Sequence, residues 1–353
     1  MKILITGNQG YIGTVLNQAL LEEYPTTEII GFDTGFYAHC LTGFKSNPDQ
    51  GVSTQYFGDV RDISPSHLDG VDAVVHLAGI SNDPIGKEFE LVTSEINREA
   101  SIRLAKISIQ AGVKNFVFAS SCSMYGSAND NPKKETDPTN PLTAYARSKI
   151  GTENDIKKLD LGSMIFTSLR FATACGWSNR LRLDLVLNDF VACAISSKKI
   201  TVLSDGTPWR PLIDVEDMSR AIIWGTRRKS SEGGKFLPIN TGCNENNYQV
   251  KDLALEVAKI VPETIISINS NALPDNRSYA VDFSLYKKLA PKHQPRITIQ
   301  DSIQRLYSGL LEIEFNNNNF RESTLMRLNT LKKHIESKRL KNNLRWTSAD
   351  TLV

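Results

Sequence analysis

The sequence predicts an α/β fold: a doubly wound parallel sheet, followed by a smaller mixed α/β lobe and a C-terminal helical extension. Three observations carry this prediction. Short, nearly continuous apolar runs alternate with helical patterns over about the first 170 residues, as strands buried on both faces require. A glycine-rich turn, TGNQGYIGT at 6–14, joins the first apolar run to the first helical stretch. Beyond about residue 170 the rhythm changes to mixed segments broken by WSNR, SDGTPWRP, SEGGKF and NTGCNENN, whose loop-forming residues mark a second lobe.

In order along the chain, KILITG opens the sheet and YIGTVLNQALLEEY follows as a helix; TEIIGFD, STQYFGD and DAVVHLAG are the next strands. The crossover FELVTSEINREASIRLAKISIQAG carries Leu91, Ile96, Ile102, Leu104, Ile107 and Ile109 as its apolar helical positions, with Gly112 as its stop. NFVFASS and, after another helix, SMIFTSLR complete the strands of the first lobe. This places a dinucleotide-binding domain at 1–170, with some later segments returning to it, a substrate lobe at 171–315 and a basic helical extension at 316–353. NNNN at 316–319 reads as a hinge, and Leu325, Leu328, Leu331 and Ile335 share one face of the helix beyond it. Docking of that helix on its own protein is favoured over contact with a membrane or nucleic acid.

Hydrophobic residues at 40% and charged residues at 23% are ordinary values for a soluble globular chain. The net charge of +2 is uneven: residues 316–353 hold eight Lys or Arg against three acids, leaving 33 basic and 36 acidic residues elsewhere. The main body therefore offers no broad basic surface, and no nucleic-acid partner is expected. MKILITG meets a glycine loop without a signal-peptide pattern, and no run approaches the roughly 18 apolar residues of a membrane span. A cytoplasmic protein is expected. Cys40, Cys122, Cys175, Cys193 and Cys243 form no C-x-x-C pair and read as reduced thiols, with no metal site.

Gly7, Gly10 and Gly13 stand at G-x-x-G-x-x-G spacing between a strand and a helix. Such a turn brings backbone close to a pyrophosphate and presents helix N–H groups to it. The second strand ends in Asp33, about 20 residues beyond the last glycine, where a carboxylate binds an adenosine ribose and repels a 2′-phosphate. NAD is favoured over NADP, although Lys45 in the next loop leaves the second possible. In YARSK, Tyr145 and Lys149 lie four residues apart, on one helix face. An adjacent ammonium and a nicotinamide cation are expected to lower the Tyr145 pKa toward that of a general base. Cys122 reads as a small buried thiol, with a nucleophile as the minor alternative.

TGNQGYIG, Asp33, GDVRD, HLAG, FASSCSMYG and YARSK resemble, in order and spacing, the extended short-chain dehydrogenase/reductase family, and within it the NAD-dependent nucleotide-sugar epimerases and dehydratases. The resemblance covers about residues 1–310 and implies a Rossmann fold. It assigns Gly7, Gly10, Tyr11, Ile12 and Gly13 to the pyrophosphate of NAD, Asp33 to the ribose, and Asp59 and Val60 to the adenine. Leu77, Ala78 and Gly79 go to the nicotinamide side, and Asn97 to the family's structural asparagine near the cofactor. It also implies that Ser121 holds the sugar oxygen, Tyr145 removes its proton, and Lys149 binds the nicotinamide ribose. Ser81, Asn82 and Ser123 are expected against the sugar, with Asp83 forming a turn before Pro84. Thr173, Asn188, Arg210 and Arg277 are expected against a nucleotide diphosphate.

Two departures narrow the reaction. Dehydratases of the family follow the hydroxyl with an Asp-Glu pair, replaced here by Cys122 and Ser123, which disfavours expulsion of water. In RFATACG, Thr173 stands where the family usually has Asn, with shorter reach to a phosphate. The expected activity is NAD-dependent epimerisation of a nucleoside-diphosphate sugar through a transient 4-keto intermediate. The alternatives are an NAD(P)-dependent keto-reductase or dehydrogenase and a silent dinucleotide-sensing scaffold. The resemblance also implies a homodimer formed through helices near 88–111 and 143–159.

Overall fold

The computed structural model describes residues 1–43, 47–81, 83–127, 131–269, 272 and 277–347. The chain begins with β1 (Lys2–Thr6), α1 (Tyr11–Glu23), β2 (Glu28–Asp33), β3 (Thr54–Phe57) and β4 (Ala73–His76). Next come α2 (Asp83–Glu88), α3 (Glu90–Ser94), α4 (Ala100–Gln110), β5 (Asn115–Ser121), α5 (Ala144–Ile156) and β6 (Ile165–Phe171). It then leaves the central sheet for β7 (Thr173–Cys175), α6 (Val186–Ser196), β8 (Lys199–Val202), β9 (Trp209–Asp214) and α7 (Val215–Arg227), and returns for β10 (Phe236–Thr241). The remainder is β11 (Asn247–Gln249), α8 (Val250–Ile260), β12 (Ile265–Ile268), α9 (Ser284–Leu289), α10 (Ile299–Glu312) and α11 (Arg327–Glu336).

Seven parallel strands form the central sheet in the order β3-β2-β1-β4-β5-β6-β10, a Rossmann order with one strand added beside β6. The continuous apolar runs follow from burial on both faces. Ile3 and Ile5 of β1 join Leu16 and Leu20 of α1 and Ile222 of α7 in one core cluster, while Leu4 between them joins Leu104 of α4 and Ile156 of α5 in the other. The sequence reading found six of these strands. It did not isolate β10, because FLPINT follows a loop-forming stretch and carries both Pro238 and Asn240.

The crossover after β4 is not one regular helix. Residues Glu95–Glu99 form a π-turn between α3 and α4, and each such turn inserts a residue that rotates the helical phase by about 100°. Leu91, before the turn, is 82% exposed rather than part of the apolar face, whereas Ile96 and Leu104 are buried. The C-terminal helix docks on its own chain: Leu331 is fully buried in the core cluster on the α4 side, with Leu328 and Ile335 packed against it. Leu325, before the helix, packs on the second lobe instead. Among the described residues, no helix is long and apolar enough to cross a membrane.

Candidate active site

Strand order reverses between β1 and β4, so the loops beyond their carboxyl ends part and leave a crevice. A cavity of about 970 Å³, counting solvent at its mouth, opens there. Its walls carry Gly7, Gly10, Tyr11, Ile12 and Gly13 after β1, Asp33 at the end of β2, Asp59 and Val60 after β3, and Leu77, Ala78 and Gly79 after β4. Gly7 has φ +78°, and a Cβ there would stand 2.7 Å from Ala78 N, so only glycine lets the turn close onto the end of β4. No side chain caps α1 at Gly10, which leaves first-turn N–H groups for an anion.

The side chains around this turn are fixed by specific partners. The Tyr11 hydroxyl donates to Gly176 O at 2.7 Å, tying the glycine turn to the second lobe. Asp33 accepts from Gln9 N at 3.0 Å and Gly35 N at 2.8 Å; burial raises its pKa, and these two N–H bonds oppose the rise. Asp59 accepts from Arg61 N at 2.8 Å and pairs with the Arg61 guanidinium at 2.6 Å, so its carboxylate is largely committed within the protein. Asn97 is fully buried outside the cavity wall. Its amide accepts from Ile80 N at 2.7 Å and donates to Ile80 O at 2.8 Å and Ser148 Oγ at 3.1 Å. It therefore braces the cavity-lining Gly79–Ile80 segment against α5.

At the far end of the crevice, Ser121 closes β5, accepting from Ser123 N at 3.1 Å and donating to Ser123 Oγ at 2.9 Å. It also faces the Tyr145 phenol and opposes the rise in that phenol's pKa. Thr143 caps α5, its hydroxyl accepting from Ala146 N at 3.2 Å, and so fixes the turn that carries Tyr145. Lys149 is 4% exposed; its ammonium lies 4.6 Å from the Phe118 ring centroid and 5.6 Å from that of Tyr145. A Cβ on Gly79 would stand 3.7 Å from Lys149 Nζ, so the ammonium lies next to a residue of the cavity wall.

The pKa directions differ from the sequence expectation. Burial pushes the Tyr145 phenol up to about 12, with the Ser121 hydrogen bond opposing it. Burial also pulls Lys149 down to about 7. Desolvation wins because the ammonium stands off the phenol and is itself disfavoured. The Cys122 thiol is buried and donates to Arg170 O at 3.0 Å, and burial raises its pKa far beyond the thiolate range, which removes the nucleophile alternative.

The residues assigned to the substrate separate. Ser81 lines the same cavity as the glycine turn, with Arg182 Nη1 donating to its hydroxyl at 2.8 Å. Asn82 and Lys45 lie outside the described residues. Thr173 is half-buried in β7 opposite Leu212. Asn188 is fully buried, its amide accepting from Gly176 N at 3.1 Å and donating to Arg182 O at 2.9 Å; it clamps two loops and is not presented to a phosphate. Arg210 and Arg277 are brought together, Arg210 donating to Arg277 O and lying over the Tyr279 ring at 6.0 Å. Arg277 pairs with Asp83 Oδ2 at 2.6 Å. Asp83, expected only to form a turn, begins α2 and raises the Tyr145 pKa by its charge, so this cluster adjoins the phenol.

Sequence reasoning missed Tyr37, Arg182 and Arg327, all of which line the cavity. Asp184, two residues after Arg182 and paired with it at 2.9 Å, was the one local hint of a buried guanidinium.

The model of the family described as NAD dependent epimerase/dehydratase matches residues 3–239. The UDP-glucose 4-epimerase of Lactobacillus helveticus is 27% identical over 287 residues, covering 75% of this chain and 84% of that protein. UDP-glucuronic acid decarboxylase 3 of Arabidopsis thaliana is 25% identical over 313 residues, covering 86% and 87%. Among solved structures, the UDP-N-acetylglucosamine 4-epimerase from Methanobrevibacter ruminantium M1, in complex with UDP-N-acetylmuramic acid, shares the fold with a TM-score of 0.75 at 20% identity, covering 88% of this chain and 98% of that one. With a glycine turn, an acidic β2 end and a Ser, Tyr and Lys gathered at one crevice, and with that model spanning two thirds of its length, the chain belongs to the NAD dependent epimerase/dehydratase family.

Proposed function

We propose that the protein epimerises a nucleoside-diphosphate sugar at C4 through a transient 4-keto sugar, using bound NAD. The observation that carries this reading is the juxtaposition of Ser121, Tyr145 and Lys149, the ammonium 5.6 Å from the Tyr145 ring centroid, at a β5 end where Cys122 and Ser123 supply no carboxylate. A site with an oriented phenol and no acid–base carboxylate pair suits proton and hydride movement at a carbinol carbon, and suits water elimination poorly.

The cavity fits the dinucleotide: an uncapped helix N-terminus faces the pyrophosphate position, Asp33 the ribose, and Lys149 the nicotinamide ribose. When bound, the nicotinamide ring takes up and returns the hydride, and its positive charge favours the phenolate. Ser121 holds the C4 oxygen while Tyr145 accepts its proton. In this reading Arg210 and Arg277, held together and to Asp83, are assigned to the diphosphate. Bidentate guanidinium groups suit that role. The relatives named for UDP-sugars support a uridine diphosphate carrier. A homodimer through the α3–α5 face belongs to the same reading, with Leu91 exposed there.

The test is incubation with UDP-glucose, UDP-N-acetylglucosamine and UDP-glucuronic acid in turn, without added cofactor, following C4 by NMR. The expected result is an equilibrium mixture of C4 epimers from at least one sugar. It should be lost by about 10²–10⁴-fold in Tyr145→Phe, the usual contribution of a positioned acid–base group. One-way turnover that consumes stoichiometric NADH would replace this reading with that of a reductase.

A further inference from the structure

The segment after α10 runs back over the adenosine end of the cavity. His334 Nε2 donates to Phe36 O at 3.1 Å, and Trp346 Nε1 to Thr34 O at 2.6 Å. The Trp346 ring packs on Phe36 and His334 at 5.5 and 5.0 Å. Arg61, already paired with Asp59, donates to Asn343 O at 3.0 Å, and Arg345 pairs with Asp62. Thr34 and Phe36 follow Asp33 and line the cavity themselves, so the extension forms a strap behind the cavity's own wall.

One side chain of the strap passes through that wall. Arg327, the first residue of α11, is 3% exposed and lines the cavity. Its Nη2 donates to Arg180 O at 2.7 Å, its guanidinium lies 4.6 Å from the Tyr37 ring centroid, and its buried Nη1 has no hydrogen-bond partner. A second buried guanidinium, Arg182, lines the same cavity, and it takes Asp184 as its ion-pair partner. Asp184 is thus the carboxylate beside these two guanidinium groups, while the cavity's own carboxylates, Asp33 and Asp59, are held by Gln9 and Gly35 N–H groups and by Arg61. An unpaired buried N–H donor and an uncompensated buried charge are both costly unless a ligand answers them. The uncapped N-terminus of α1, at Gly10 in the wall of the same cavity, also favours a negative group.

We propose that Arg327 is a ligand of the dinucleotide pyrophosphate, so that the C-terminal extension supplies part of the cofactor site. This assignment rests on reading the cavity as the NAD site. The pyrophosphate meets both unmet demands: it is dianionic, and its oxygens accept from a planar guanidinium.

The experiment is calorimetric titration of full-length, nucleotide-stripped protein with NAD, ADP-ribose and adenosine, for wild type and Arg327→Met, with a thermal melt of each. Arg327→Met is expected to weaken NAD and ADP-ribose roughly ten- to hundredfold, as loss of one charge-assisted hydrogen bond does, while adenosine changes by less than about twofold. If Arg327→Met does not fold, Arg327→Gln, which keeps an N–H toward Arg180 O, carries the same expectation. Unchanged NAD affinity would overturn the assignment. Equal weakening of adenosine would overturn it too, by showing that Arg327 only shapes the pocket. Wild-type protein that binds none of the three ligands would overturn the NAD reading itself, and the assignment with it.

Discussion

Replacing Asn97 with Ala isolates the brace between the dinucleotide cavity and α5. The side chain is fully buried and makes three hydrogen bonds. Ser148 Oγ keeps its bond to Tyr145 O at 2.7 Å, so it is not orphaned. Ile80 N and Ile80 O, on a residue 4% exposed, lose the amide that satisfies both. Each buried backbone group left unpaired costs about 1–3 kcal/mol, which gives about 2–6 kcal/mol in all. A water admitted to the vacated space brings the loss toward the lower end. Urea unfolding of wild type and Asn97→Ala measures the difference. NAD affinity should fall in the same variant, because Gly79 and Ile80 line the cavity. Asn97→Asp, which keeps the acceptor for Ile80 N and loses the donor to Ile80 O, should fall between the two. A loss below about 0.5 kcal/mol, within ordinary surface-substitution scatter, would refute the claim that this amide holds the segment.

Other consequences follow from buried charges. Lys149 has its pKa lowered to about 7 by burial, so the unfolded chain binds more protons than the folded one between about pH 7 and 10. Stability contributed by this group should therefore rise with pH across that window. The difference in unfolding free energy between wild type and Lys149→Met, followed over that range, should move in favour of wild type as pH rises; a flat difference would contradict the burial argument. Glu153 holds Arg170 at 2.7 Å and accepts from Ser120 and Ser168 at 2.7 Å each, all within the core. Glu153→Gln leaves the guanidinium without its counter-charge and should cost about 3–5 kcal/mol in denaturant unfolding.

The parts of the site that were legible in the sequence are those whose geometry is local. The glycine turn, Asp33 at the end of a strand and the Tyr145–Lys149 spacing each depend on a few neighbouring residues, and six strands of the sheet announced themselves by apolar runs. Long-range partners were not legible. Arg327 reaches the cavity from a helix that the sequence shows only as basic and amphipathic, and Arg182 is recognisable only once Ser81, about 100 residues earlier, is beside it. Asn188 matched a motif position yet is consumed by Gly176 and Arg182 backbone groups, because a motif fixes a residue's place in the chain and not the partners that reach it first. Burial at Tyr145 was illegible for a related reason: spacing places the ammonium nearby, but the desolvation that dominates both groups among the protein's own contributions comes from the packed crevice. Leu91 was counted with the apolar positions by residue type alone; it lies five residues before Ile96, about 140° away around a regular helix, and is exposed.

The proposed epimerisation removes and restores hydrogen at the same sugar carbon within one site, with Ser121, Tyr145 and Lys149 around it. The most direct test is to supply a UDP-sugar carrying deuterium at C4, in light water and without added cofactor, and to follow the product by NMR. The account predicts C4-inverted sugar that keeps its deuterium at C4, because hydride leaves and returns within one enclosed site. Product with protium at C4, or an unchanged C4 configuration with every sugar that binds, would contradict it.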